Sequence, residues 1–98
     1  MKFTLVFTET AKETLKELKH SKNLQKRYKA VEKSLRYLSE NPKHPSLQTH
    51  KYASIAGPKG EEVFEAYAQQ DTPASYRIFF FYGPQNRSIT IIAVTPHP

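Results

Sequence analysis

The chain contains no cysteine, no tryptophan, one methionine and three glycines in 98 residues. Without thiols it has neither disulfides nor thiolate-ligated zinc, so its fold must rest on side-chain burial and backbone hydrogen bonding. The length suffices for that, since a domain of this size buries roughly 60–70% of the surface its unfolded form exposes. Long apolar runs are also missing. The longest, Ile78–Tyr82, falls far short of the ~20 residues a helix needs to span a bilayer. The opening MKFTLVFTET lacks the apolar core and small-residue cleavage site of a secretory signal. The expectation is one cytoplasmic domain over residues 1–98, with no membrane association.

What the sequence has in excess is positive charge. Lys and Arg number 15 against nine Asp and Glu, for a net charge of +6. The excess is lopsided: up to Gly60 there are 13 basic and 5 acidic residues, and from Glu61 onward 2 and 4. Lys19, Lys22, Lys26, Arg27, Lys29, Lys33 and Arg36 concentrate it on one stretch. Such a field suits a phosphate backbone or an acidic protein partner. A solvated, lysine-rich helix face has the same composition.

Periodicity divides the chain into elements. Phe3, Leu5 and Phe7 alternate with Lys2, Thr4 and Val6, which predicts a half-buried strand over Met1–Phe7. Thr8 or Thr10 can cap the next helix, and Thr10 to Glu13 has capping-box spacing. Ala11, Leu15 and Leu18 share one helical face. After a break at His20–Asn23, Leu24, Tyr28, Val31, Leu35 and Leu38 share another. Pro42 ends that second helix. The stretch from Pro42 to Gly60 reads as irregular, with one short extended piece around His50–Ile55. Three strands follow: Val63–Ala68, Tyr76–Tyr82 and Ile89–Thr95. The fold class expected is α+β: an N-terminal strand, a helical hairpin, then a three-stranded antiparallel meander, with the helices on one face of an antiparallel sheet. YRIFFFY at Tyr76–Tyr82 is apolar on both faces and reads as the central strand, which leaves an aromatic face uncovered by helices.

Arg77 is the most informative position, because a guanidinium in the most hydrophobic strand must be paired or face a wet cleft. It shares a face with Phe79 and Phe81. An ion pair with Glu65 on the preceding strand is one reading, and a rigid phosphate-binding fork is the other. His97 follows the last strand between two prolines, and an imidazole there suits proton transfer at a phosphodiester. His44, His50 and Lys51 add charge near a groove mouth without metal-ligand spacing. Tyr52, Tyr67 and Tyr76 are candidates for stacking on bases or for the core.

The order of these features resembles the RelE/ParE superfamily of bacterial type II toxins, over essentially the whole chain. The matching features are the strand Phe3–Thr8, L-x-x-N-P at Leu38–Pro42, H-P-S-L at His44–Leu47, H-K at His50 and Lys51, Y-R-I at Tyr76–Ile78, and the closing ITIIAVTPHP. The resemblance implies a fold similar to small microbial ribonucleases and ribosome-dependent cleavage of mRNA. The RNA's 2′-hydroxyl would attack the adjacent phosphate, with no metal or other cofactor. On this template Arg77 matches the phosphate-stabilising arginine and His97 the C-terminal acid or base. His50 and Lys51 match basic residues that approach the RNA backbone, and Tyr76 joins them as an RNA-binding candidate. The partners implied are the ribosome, mRNA and a cognate acidic antitoxin. Glu65 departs from the template, which carries lysines on that strand. A ParE-like inhibitor of DNA gyrase, and a non-toxic binding module, are the alternatives on the same scaffold.

Overall fold

The computed structural model describes residues 2–68 and 75–96. In it the opening alternation becomes strand β1 (Thr4–Phe7), with Leu5 and Phe7 packed on the core and Thr4 and Val6 exposed. Helix α1 (Glu9–His20) starts at Thr8. The Thr8 Oγ1 accepts from the Ala11 N–H at 3.2 Å and donates to the Ile92 carbonyl at 2.8 Å, so one hydroxyl caps the helix and ties it to the sheet. The cap is therefore Thr8 and not Thr10.

A single turn of 3₁₀ helix, Lys22–Leu24, leads into helix α2 (Gln25–Glu40). Val31, Ser34 and Leu38 form its buried stripe. Asn41 leaves the helical conformation one residue before Pro42, while its N–H still donates to the Tyr37 carbonyl at 2.6 Å.

Four strands then run as an antiparallel meander: β2 (His50–Ala56), β3 (Glu62–Tyr67), β4 (Tyr76–Tyr82) and β5 (Ser88–Pro96). Strand β1 adds to β5 in parallel, giving the order β1-β5-β4-β3-β2 with β4 in the centre. The α+β class is as expected, with two refinements. The extended piece around His50 is a full strand, so the meander has four strands where three were expected. The sheet is mixed rather than antiparallel, because the chain returns to pair with β1 only after crossing over through the two helices.

The core lies between helices and sheet, where Leu18, Val31 and Leu38 meet Ile78, Phe80, Ile89 and Ile91, all at most 2% exposed. Alternation along β4 sends Ile78 and Phe80 to that side and Arg77, Phe79 and Phe81 to the other. The expectation of an exposed aromatic face fails here, since Phe79 and Phe81 are only 5% and 4% exposed. Neighbouring side chains do part of the covering. The Tyr52 ring packs edge-on against Phe79 with centroids 4.8 Å apart, and the Arg77 guanidinium lies 5.0 Å from the Phe79 centroid. Opposite Phe79 and Phe80 the register of β5 jumps from Ala93 to Ile91, a bulge that leaves Ile92 as the extra residue.

Candidate functional site

On the helix-free face, register builds a polar cluster in the middle of aromatics. β3 pairs with β4 so that Glu65 sits opposite Phe79 and Tyr67 opposite Arg77, which places the Glu65 and Arg77 side chains on a diagonal of one face. β2 pairs with β3 so that His50 sits opposite Glu65. Three strands thus deliver three ionisable side chains to one point.

Glu65 is the hub. Its side chain is 4% exposed, and each carboxylate oxygen has a nitrogen partner at 2.7 Å: Arg77 Nη1 on Oε2 and His50 Nε2 on Oε1. The Tyr67 hydroxyl donates weakly to Oε1 at 3.4 Å. A carboxylate removed from water costs several kcal/mol in order of magnitude unless it is compensated, and this one is compensated from two sides. The other nitrogen of His50, Nδ1, lies 2.9 Å from the Gln48 carbonyl, an acceptor only. Both ring nitrogens therefore face acceptors, Nδ1 the Gln48 carbonyl and Nε2 the Glu65 carboxylate, and whichever carries the proton donates it.

Arg77 is held on several sides. Its guanidinium lies 5.0 Å from the Phe79 ring centroid and 5.9 Å from that of Tyr52, and its side chain keeps 20% exposure. Its Nε and the hydroxyl of Thr95, its cross-strand neighbour on β5, are buried polar atoms without a hydrogen-bond partner among the described residues. Tyr67 feels the cluster as well. Burial pushes its phenol above the ordinary tyrosine value, the Glu65 charge pushes the same way, and Arg77 pulls back.

The sequence candidates separate by face. Arg77 and His50 come together through Glu65. Tyr76, one residue from Arg77, projects to the helix side and packs partly buried against the core. Lys51 turns away from the cluster too, 70% exposed and 3.3 Å from Glu62. It lines an open groove of about 390 Å³ with Lys43, His44, Phe64 and Tyr82. His44 stacks on Tyr37 at 3.9 Å between centroids, its Nδ1 accepting from the Ser46 N–H at 3.1 Å. His97 lies outside the described residues. The register just before it pairs Thr95 with Arg77 and Pro96 with Tyr76.

Glu65 was legible in the sequence only as a counter-ion for Arg77. Its role in joining His50 to Arg77 had one signal, a lone acid inside the apolar strand VFEAYA on the Arg77 face. The His50 half of the arrangement depends on the β2 register, which the sequence does not display.

No family model matches the sequence, and no curated protein does. Solved structures do match. The YoeB dimer of Staphylococcus aureus aligns with a TM-score of 0.71 at 14% identity, covering all of both chains. The YoeB/ParE toxin of Agrobacterium tumefaciens aligns at 0.69 and 9% identity, over 97% of this chain and 99% of that one. The archaeal RelE–RelB complex of Pyrococcus horikoshii aligns at 0.64 and 14% identity, over 98% and 96%. This chain has the RelE/YoeB fold. Within that fold, the cluster of Arg77, Glu65 and His50 occupies the sheet face that the two helices leave open.

Proposed function

We propose that this protein is the toxin of a type II toxin–antitoxin pair and that it stops translation by cutting ribosome-bound mRNA. Arg77 is the observation that carries the reading. Its guanidinium is fixed by Glu65 at 2.7 Å, framed by two aromatic rings and still partly open to solvent. A preorganised cation of that kind suits the charge that builds on a phosphorane, worth roughly 3–4 kcal/mol by analogy with oxyanion donors.

In the proposed step the RNA 2′-oxygen attacks the adjacent phosphorus and loses its proton to a base. The bond from phosphorus to the 5′-oxygen breaks, and that oxygen takes a proton from an acid. The products are a cyclic 2′,3′-phosphate and a free 5′-hydroxyl. Arg77 neutralises the added phosphate charge, while Glu65 positions Arg77 and His50. His97 is the candidate for proton transfer, supported by the register that brings the two residues before it alongside Arg77 and Tyr76. His50 and Lys51 are proposed to steer the RNA backbone. Tyr76, on the helix side, is proposed only as an outer contact. The partner proposed is an acidic antitoxin, a reading supported by the RelE–RelB complex among the structural neighbours and by the positive charge of the first 60 residues. Its site of action would be the cytoplasm.

The direct test adds purified protein to translating ribosomes and maps new 5′ ends on the mRNA. Cuts that require ribosomes support the reading.

One observation favours a second reading. With Glu65 engaged by both Arg77 and His50, and both His50 nitrogens turned to acceptors, the cluster can serve as a closed structural network with no chemistry. A gyrase inhibitor on this fold needs no proton transfer. Inhibition of DNA supercoiling by purified gyrase, with mRNA left intact, would select it.

A further inference from the structure

The basic residues of α2 are not scattered. At about 100° per residue, Lys26, Lys29, Lys33 and Arg36 fall within an arc of roughly 80°, spread over about 15 Å of helix axis. All four are exposed. Lys22, in the turn before α2, precedes them at the same spacing. The row lies roughly 150° around the helix from Val31, Ser34 and Leu38. That buried side faces the sheet, where the Ser34 hydroxyl lies 3.4 Å from the carbonyls of Tyr67 and Ala68. The cations therefore point away from the sheet, on the side of the molecule opposite Arg77.

No ion pair among the described residues neutralises the row; those that form all lie elsewhere. Lys33 lies 5.8 Å from the Tyr37 ring centroid, a contact that leaves its charge intact. Of the two acids on α2, Glu32 lies to one side, by Tyr28, whose phenol is raised first by burial and then by the Glu32 charge. Glu40 stands only at the C-terminal end of the row. Like charges held a turn apart disfavour the helix that carries them, so the arrangement has a cost that an anionic partner would relieve.

We infer that the outward face of α2 is a second nucleic-acid contact, a row of cations that grips an RNA phosphate backbone independently of the Arg77 site. A phosphate backbone is favoured over an acidic protein segment by what the face lacks. Protein interfaces draw their energy from buried aromatic and aliphatic anchors, with charges at the rim. The exposed large hydrophobic residues among those described are Val6, Ile55 and Tyr82, all on strands. Phosphates need only cations at a repeating spacing. The surface would hold structured RNA while the opposite face stays free.

The test measures binding of the full chain to a fluorescein-labelled RNA duplex by anisotropy, across a salt series. A variant with Lys26, Lys29, Lys33 and Arg36 all changed to Gln is compared with a charge-matched control carrying Gln at the dispersed, exposed Lys2, Lys12, Lys19 and Lys59. Glutamine keeps good helix propensity, and circular dichroism checks that both variants fold. The expected result is a plot of log K against log salt whose slope shrinks by about three for the α2 variant, at roughly 0.7–0.9 per lost phosphate contact, and by less than one for the control. Equal losses in both variants would show that only net charge matters and would overturn the inference. An unchanged slope in the α2 variant would overturn it too, as would competition by polyglutamate matching that by unlabelled RNA. None of these outcomes depends on whether Arg77 supports cleavage.

Discussion

Arg77 and Glu65 meet across β4 and β3 with Nη1 2.7 Å from Oε2, and the carboxylate's other oxygen is held by His50 at the same distance. The pair is a structural tie and, on the function proposed above, also positions Arg77, so the two roles must be separated by experiment.

Removing one partner leaves the other uncompensated in a largely buried place. Glu65→Ala should lower stability by about 3–5 kcal/mol, and Arg77→Ala by a comparable or smaller amount because its head is more open to water. The double variant should lose less than the sum, with a coupling of about 0.5–3 kcal/mol. Urea denaturation of the four proteins measures this cycle. Additive losses would mean that the contact contributes nothing as a pair.

Tyr67 reports on the same carboxylate. Its phenol is raised first by burial and next by the Glu65 charge, with Arg77 opposing. In Glu65→Gln the second contribution disappears, so Tyr67 should ionise at lower pH than in the parent protein. Ultraviolet difference titration against Tyr67→Phe isolates this one phenol. The sign for stability follows from the same shift. A raised phenol stabilises the fold fully below its unfolded value of about 10, and that stability is lost as pH climbs through the folded value. Tyr28 and Tyr82 are raised as well, the first by burial and then by Glu32, the second by burial. The melting temperature should therefore fall above pH 10, and less steeply in Tyr67→Phe.

The Thr8 hydroxyl joins α1 to β5. Thr8→Ala removes the helix cap and the hydrogen bond to Ile92 together, for an expected loss of about 1–2 kcal/mol. Thr8→Ser keeps both bonds and should recover most of that stability. Thermal unfolding of the two variants makes the comparison.

Much of this architecture is legible in the residues. Apolar side chains on both faces of Tyr76–Tyr82 mark a central strand, and β4 is one. The parity of Glu65 and Arg77 predicts a shared face, and the ion pair forms there. β2 is harder to read because an edge strand exposed at nearly every position has no apolar alternation to display. The parallel direction of β1 is hidden for another reason, since its partner lies some 80 residues away and periodicity names no partner. Phe79 and Phe81 look exposed in the sequence because their cover includes Tyr52 and Arg77, side chains that alternation does not count. The extended piece expected around His50–Ile55 lies on β2, and His50 is a candidate from the sequence, but its place beside Glu65 depends on register alone.

Arg77→Lys tests the central claim most directly. Lysine keeps the positive charge beside Glu65 and so preserves the fold, but it loses the planar fork that a phosphorane would engage. With ribosomes, mRNA and purified protein at equal folded concentration, the variant should cut mRNA roughly 100-fold more slowly or worse, while melting within a few degrees of the parent. Cleavage at the parental rate by a folded Arg77→Lys protein would contradict the assignment of Arg77 to the chemistry.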